Sequence, residues 1–268
     1  MVFPKKILMS SPEHFDVVYK INPHMSLENK VNKTLANAQW YNLRSIYENI
    51  GFDVEVIPGR SDLPDLVFMA NQLISTRDGV ILSRMNNIER EPEVDHIKKH
   101  LNIKNYFRPK NTFESMGDCL EDYQGKRFFC GYGFRTKKEV YEEINNYLPG
   151  EKVLIKLNSE KFYHLDTCLC IVDNETAFYV KSAFDDNGID TLKKSFQKLI
   201  KVDEMEAETF LACNAHCPDG VNIIVEENAK KFQKSARDLG LKVHSVDTSE
   251  FLKSGGSIFC LKNQFWDY

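Results

Sequence analysis

The sequence has no GxGxxG run and no GxxxxGK run, so both glycine loops that cradle nucleotide phosphates are missing. It also lacks an apolar stretch near the ~20 residues that cross a bilayer, since its most apolar segments, 66–73 and 168–172, are strand-length. Residues 1–12 carry Lys5 and Lys6 but no apolar run of signal-peptide length. Positive charge is not in surplus: 35 Lys+Arg stand against 39 Asp+Glu, a net charge of −4, which argues against nucleic acid or an anionic membrane as the main partner. No stretch is rich enough in Pro, Gly or Ser to act as a linker. Ser10-Ser11-Pro12 and Ser254-Gly255-Gly256-Ser257 read as loops, and residues 1–268 read as a single domain. Seven cysteines, an odd number spread along the chain, do not make a secreted disulfide framework. They read as cytosolic thiols, which places the expectation in the cytoplasm. What remains is 42% hydrophobic and 28% charged, ordinary for a soluble globular chain and enough to exclude disorder.

Periodicity then suggests α/β organisation. Residues 28–50 place Leu35, Ala38, Trp40, Leu43 and Ile46 or Tyr47 at helical spacing, stop at Gly51, and give way to alternation over 52–57. The same order returns at 227–239, Gly240 and 241–246, which hints at an internal structural repeat. Further strands are expected at 66–75 with 79–83, 127–129, 152–157, 168–172 with 177–180, and 221–225. Thr76-Arg77-Asp78-Gly79 and Asp173-Asn174-Glu175 read as hairpin turns. Helices are expected at 91–100, 137–147, 188–200 and 249–254. Hairpins separated by helices do not suit a Rossmann sheet, which needs parallel crossovers throughout.

Candidate chemistry is scattered along the chain. Asp65 opens an apolar run that Asn71 closes, Glu114 and Asp118 flank a glycine, and His164 and Asp166 fall on the same side of a segment read as extended. Each has a plain reading: a turn residue, a cap, a structural histidine. Cys168-x-Cys170 and Cys213-x₃-Cys217 have metal-like spacings, but the first pair faces one side of a strand, most simply the core. Glu114 and Asp118 lack a nearby His at ligand spacing. No metal and no cofactor is therefore expected. Cys260 follows a glycine pair and has no spaced partner, so it is either a core thiol or a nucleophile. A thiol, an imidazole and several carboxylates together suit a cationic electrophile. Carboxylates grip a planar guanidinium through paired hydrogen bonds, the thiolate attacks its central carbon, and the imidazole moves the protons.

These residues sit in ordered blocks: Phe15-Asp16-Val17 with Ile21-Asn22-Pro23-His24-Met25, 64–71, Glu89-Arg90, 113–118, 131–136, 164–168, Cys213-Asn214-Ala215 and 255–261. Together they resemble the guanidino-group-modifying (amidinotransferase, or pentein) superfamily, in particular its arginine dihydrolase-like branch, with dimethylarginine dimethylaminohydrolases and arginine deiminases as relatives. The blocks run over 15–261, nearly the whole chain. The resemblance implies a five-bladed α/β propeller of ββαβ units, pseudo-five-fold symmetric, with one central site. It implies Cys260 as nucleophile, His164 as general acid and base, and Glu114 and Asp166 as carboxylates on the guanidinium. Asp65 is implied at the guanidino or α-amino end, Arg90 and Arg135 at the α-carboxylate, and Asn22 as a polar contact. Asn71 falls at the position associated with a second hydrolysis, and Asp118 is site-adjacent. Two departures stand out. Ser115 and Met116 replace small residues beside Glu114, Met116 either narrowing the pocket or filling core, and His24 stands where the branch has Trp.

The activity implied is hydrolysis of free L-arginine to ornithine, ammonia and CO₂. Alternatives are a deiminase giving citrulline, a dimethylaminohydrolase acting on methylated arginine, an amidinotransferase, and a non-catalytic arginine-binding protein. A small-molecule substrate is the expected partner, and a homo-oligomer is left open.

Overall fold

A computed structural model describes residues 4–76 and 79–266. Its strands form five small sheets, and one connection pattern repeats through them: an antiparallel pair, a helix, then a strand parallel to the second of the pair. The first sheet joins the chain ends. β1 (Lys6–Ser10) leads through α1 (Lys33–Asn49) to the parallel β2 (Asp53–Ile57), and its antiparallel partner is the last strand of the chain. Next come β3 (Leu73–Thr76), β4 (Gly79–Leu82), α2 (Glu91–His100) and β5 (Tyr106–Phe107). β6 (Cys119–Glu121), β7 (Arg127–Tyr132), α3 (Val140–Glu143) and β8 (Glu151–Lys156) repeat the order. So do β9 (Leu169–Ile171), β10 (Thr176–Tyr179), α4 (Asp186–Ser195) and β11 (Lys198–Lys201). After α5 (Glu204–Phe210), the parallel pair β12 (Asn222–Glu226) and β13 (Lys242–Val246) is joined by α6 (Lys230–Asp238). There the antiparallel partner shrinks to one bridge, His216 to Ile224. α7 (Ser249–Leu252) and β14 (Asn263–Phe265) close the chain onto β1.

Local chemistry explains the elements. Asn32 caps α1 by accepting from the Leu35 N–H at 3.1 Å, and Ala36, Trp40, Leu43 and Tyr47 bury its inner face. Gly51, at φ +96°, takes the left-handed turn that lets the chain re-enter as β2. Each long helix lies on its own sheet. Trp40 and Leu43 meet Ile7 and Met9 of β1, Val94 and Ile97 of α2 meet Val80 and Leu82, and Leu192 of α4 joins Phe178 in another cluster.

Three sequence expectations need correction. Residues 66–75 are not one strand: only 73–76 is extended, and 66–72 is wound through turns in which Phe68 N–H donates to Asp65 O at 3.0 Å. Leu66, Val67, Met69 and Ala70 are all buried, so the unbroken apolar run reports burial on every side and not a pleat. Helix 188–200 stops at Ser195, and Leu199 and Ile200 belong to β11, where parallel pairing with β10 overrides local helical spacing. In 137–147 only 140–143 is α-helical. The β3–β4 hairpin forms, though Arg77 and Asp78 of its turn lie outside the described residues.

The turns matter for the site. 3₁₀ turns at Met69–Asn71, Ser115–Gly117 and Leu165–Thr167 precede the first antiparallel strand of three sheets and contact one another in sequence. Two further turns, at Asn214 and at 257–261, hold the same place before the His216 bridge and β14; Phe259 N–H donates to Asn214 O at 2.9 Å. The repeat thus gathers five chain-distant turns.

Ser115 sits in its turn at φ +46°, a conformation that favours glycine and costs other residues about 1 kcal/mol. Its buried hydroxyl bonds to Ser83 Oγ, which also donates to the Asn71 carbonyl, so the hydrogen bond offsets the strain. Ser115→Ala keeps the strain and loses the bond, and should lower unfolding free energy by roughly 1–2 kcal/mol. Ser115→Gly loses the same bond but relieves the strain, which offsets the loss, and should unfold near wild type in urea titrations. Equal destabilisation by the two variants would refute this balance.

Candidate active site

The turn before β14 carries Cys260. Its Sγ lies 3.2 Å from Asp166 Oδ2 and 3.2 Å from Asn214 Nδ2. Asn214 fixes the loop as well, since its Oδ1 accepts from the backbone N–H of Ser257 at 3.0 Å and of Cys260 at 3.2 Å. The preceding glycines are required by geometry. Gly255 has φ +82°, and a Cβ on Gly256 would lie 2.3 Å from the Phe68 ring. Burial, then the adjacent Asp166 charge, pushes the Cys260 thiol well above its ordinary value. Burial likewise raises the Asp166 carboxyl to about 7, against the hydrogen bond from Cys260. Thiol and carboxylate therefore share a proton-rich contact.

The imidazole end stands on the neighbouring turns. His164 Nε2 lies 2.7 Å from Glu114 Oε2, and Arg135 Nη1 reaches the same oxygen at 3.2 Å. Burial works to raise Glu114, but Arg135 and the His164 hydrogen bond outweigh it and hold the carboxyl below its usual range. Asp118 accepts from Leu165 N–H at 3.0 Å, its second oxygen 4.0 Å from His164 Nε2, and burial raises it to about 6. A Cβ on Gly117 would lie 2.5 Å from Asn71 Nδ2 and 3.1 Å from the His164 ring, so this glycine lets amide and imidazole approach. The expectation that His164 and Asp166 share a side needs correction. Residues 165–167 form a 3₁₀ turn, in which residues two apart diverge, so His164 meets Glu114 while Asp166 meets Cys260.

Between these ends lies a narrow cavity lined by Asn22, Asp65, Asn71, Arg90, Arg135 and Cys260 together with Phe68, Tyr163 and Ser254, among others. Glu114, His164, Asp166 and Asp118 stand behind that lining. Arg90 is pinned by Glu93 at 2.8 Å and donates to Asn71 Oδ1 at 2.9 Å. Arg135 donates to the Ile21 carbonyl at 2.9 Å and lies over the Tyr163 ring, 4.7 Å from its centroid. Asp65 accepts from Ser254 Oγ at 3.0 Å, and burial raises it, opposed first by Arg90. Asn22 donates to the Ser254 carbonyl at 3.0 Å. Asn71 Nδ2 has no hydrogen-bond partner among the described residues.

Glu93, Asn214, Tyr163 and Ser254 complete the arrangement without having been singled out. Glu93 stood i+3 from Arg90 at a helix start, and Asn214 and Ser254 lay inside or beside blocks already noted. Met116 is absent from the cavity lining and packs against the core beside Phe113, so it does not narrow the pocket. His24 Nε2 meets the Lys161 carbonyl at 2.9 Å. Among the described residues no His, Cys, Asp and Glu group could hold a metal ion, and no helix is long and apolar enough to cross a membrane. Chemically, the cavity lining combines a thiol, the Asp65 carboxyl and two guanidinium groups, with further carboxylates behind it, a donor and acceptor set that suits a zwitterion with a planar cationic end.

Comparison with known proteins gives consistent matches. The family model for N,N dimethylarginine dimethylhydrolase, eukaryotic, matches residues 11–265. The bifunctional arginine dihydrolase/ornithine cyclodeaminase ArgZ of Synechocystis is 34% identical, aligned over 96% of this chain and 37% of that protein. A dimethylarginine dimethylaminohydrolase of Mycobacterium tuberculosis is 34% identical over 96% of this chain and 84% of its own length. The solved N-terminal domain of ArgZ, covalently bonded to a reaction intermediate, superposes with a TM-score of 0.89 at 32% identity, covering 96% of each chain. The chain thus spans little more than a third of the bifunctional relatives it matches.

Asp166 raises the Cys260 thiol through charge and hydrogen bond alike. Asp166→Asn should therefore move the pH profile of Cys260 alkylation by iodoacetamide downwards, so that it reacts faster near pH 7. Peptide mass spectrometry separates Cys260 from the other thiols. An unchanged or upward-moved profile would break the proposed coupling.

Proposed function

The chain belongs to the dimethylarginine dimethylhydrolase family, and from that membership we propose that it hydrolyses the guanidino group of free L-arginine. The reaction takes two waters and gives ornithine, two ammonia and CO₂. The observation that carries the reading is Cys260 Sγ placed against Asp166 in a cavity that also presents Asp65, Asn71, Arg90 and Arg135. Supporting it, the ArgZ domain is described as an arginine dihydrolase and was captured in a covalent intermediate.

In this reading the five sheet units are blades around one axis, within a single domain over 1–268, and the site occupies the axis. The guanidinium lies between Asp166 and Glu114. Its positive charge favours the thiolate, whose proton passes to His164, and the thiolate attacks the guanidino carbon. His164, held by Glu114, returns that proton to the departing amino group, which leaves as ammonia, and then takes a proton from the water that displaces the thiol. Citrulline is the product of that first round. Asn71, whose amide N–H₂ is unpartnered beside His164, holds the ureido group for the second. Arg90 and Arg135 face the substrate's α-carboxylate.

Incubation with L-arginine, L-citrulline and asymmetric dimethylarginine, each followed by mass spectrometry, tests the reading. Ornithine and two equivalents of ammonia from arginine are expected, with no turnover by Cys260→Ser and citrulline accumulating with Asn71→Ala. Dimethylamine from the methylated substrate would instead assign the dimethylaminohydrolase activity, and citrulline as wild-type end product a deiminase.

A further inference from the structure

A second cavity, of about 100 Å³ and open to solvent, shares no lining residue with the first. Its walls come from the inner strands of the sheets: Ile74 and Ser75 of β3, Cys119–Glu121 of β6, Leu169–Ile171 of β9, His216, and Gln264 of β14. It therefore runs along those strands, apart from the residues that line the substrate cavity. Most of the wall is apolar, with Met116, Leu120, Phe128, Val172 and Phe259 contributing side chains.

One buried cation faces this space. Lys262 is fully buried, and its ammonium has no hydrogen-bond partner among the described residues. It rests 3.4 Å from the centroid of the Phe259 ring, which also lines the cavity. A buried ammonium with three donors and no acceptor is expensive to leave unmatched. No charged group around it is hydrogen-bonded to it. Asp122 and Glu121 stand at the cavity wall, Asp122 bonded to Arg127 at 2.9 Å. Asp166, whose charge acts most strongly on Lys262, has Oδ2 engaged by Cys260 and Oδ1 without a partner among the described residues. His216 is held neutral by burial and by Lys262 itself, with its Nδ1 on the Tyr47 hydroxyl at 2.9 Å.

We propose that this second cavity binds a small monocarboxylate, its carboxylate on the Lys262 ammonium and its apolar body against Phe259, Leu120 and Met116. Neither the guanidine chemistry nor the residues assigned to it use this site. Burial depresses the Lys262 ammonium to about 7, opposed first by Asp166, so at neutral pH part of the population must take up a proton when a carboxylate arrives. The same charge acts on Asp166 and on Cys260, which makes ligand occupancy here an influence on the thiol end of the other cavity.

Isothermal titration calorimetry of the full chain with sodium benzoate at pH 7 tests this, with acetate as the arm that lacks an apolar body. Benzoate should bind at one site with proton uptake, seen as heat that varies with buffer ionisation enthalpy, and acetate roughly tenfold more weakly. Lys262→Met should weaken benzoate by roughly tenfold to a hundredfold. If that variant does not fold, proton uptake by wild type and a benzoate-soaked crystal decide. Density beside Lys262 supports the site. Density beside Arg90 and Arg135 instead, benzoate and acetate binding alike, or no saturable heat would overturn it.

Discussion

Everything around the cavity depends on burying charge in pairs. Glu114 and Arg135 are 0% and 5% exposed, and Arg90 and Glu93 are just as deep, so neither pair can rely on water. A lone buried carboxylate or guanidinium would cost several kcal/mol, and breaking one such pair costs about 3–5 kcal/mol. Each pair is therefore held by additional hydrogen bonds: Asn86 N–H on Glu114, Gln72 on Glu93, and carbonyls of Phe68 and Ile21 on the two arginines. The outcome differs by partner charge. Glu114, with Arg135 and His164, is kept below the carboxylate range, whereas Asp166, with a thiol and an amide, is raised to about 7. Carboxylates of similar depth thus carry opposite protonation tendencies.

That constraint dictates the turns. A strand would send His164 and Asp166, like Glu114 and Asp118, to one face, and could not aim them at different neighbours with their backbones satisfied. Short 3₁₀ turns do both. Asp118 N–H donates to Ser115 O at 3.1 Å and Thr167 N–H to His164 O at 3.2 Å, while the side chains fan outwards towards neighbouring turns. The repeated sheet unit is what brings one such turn from each unit to the same place.

Legibility from sequence followed the same division. Helix α2 was read at its observed bounds, and α1, β2, β12 and β13 were found within a few residues, because each has one buried face and a clear period. Residues 66–72 were misread, since burial on all sides erases periodicity. Residues 198–201 were misread because parallel pairing with β10 is a long-range contact without local trace. At the site, Cys260, Asp65, Asn71, Asn22, Arg90 and Arg135 were named from sequence and do line one cavity. Glu93 escaped because its importance is relational: a glutamate in a helix's first turn is ordinary until an arginine is buried against it.

The state of Cys260 connects the charge pairs with selectivity. The Cys260 thiol donates towards Asp166, and both groups are pushed upwards by burial. A thiolate there would sit beside a carboxylate, with Arg90 and Arg135 committed to Glu93 and Glu114 and with Lys262 acting on both groups without a hydrogen bond to either. A ligand's cation adds a positive charge in direct contact. A guanidinium entering next to Asp166 stabilises carboxylate and thiolate together, while a neutral ligand of the same shape stabilises neither. On the proposed reading, the protein withholds its nucleophile until a cation arrives, and the pairing that satisfies its own arginines is what makes that discrimination work.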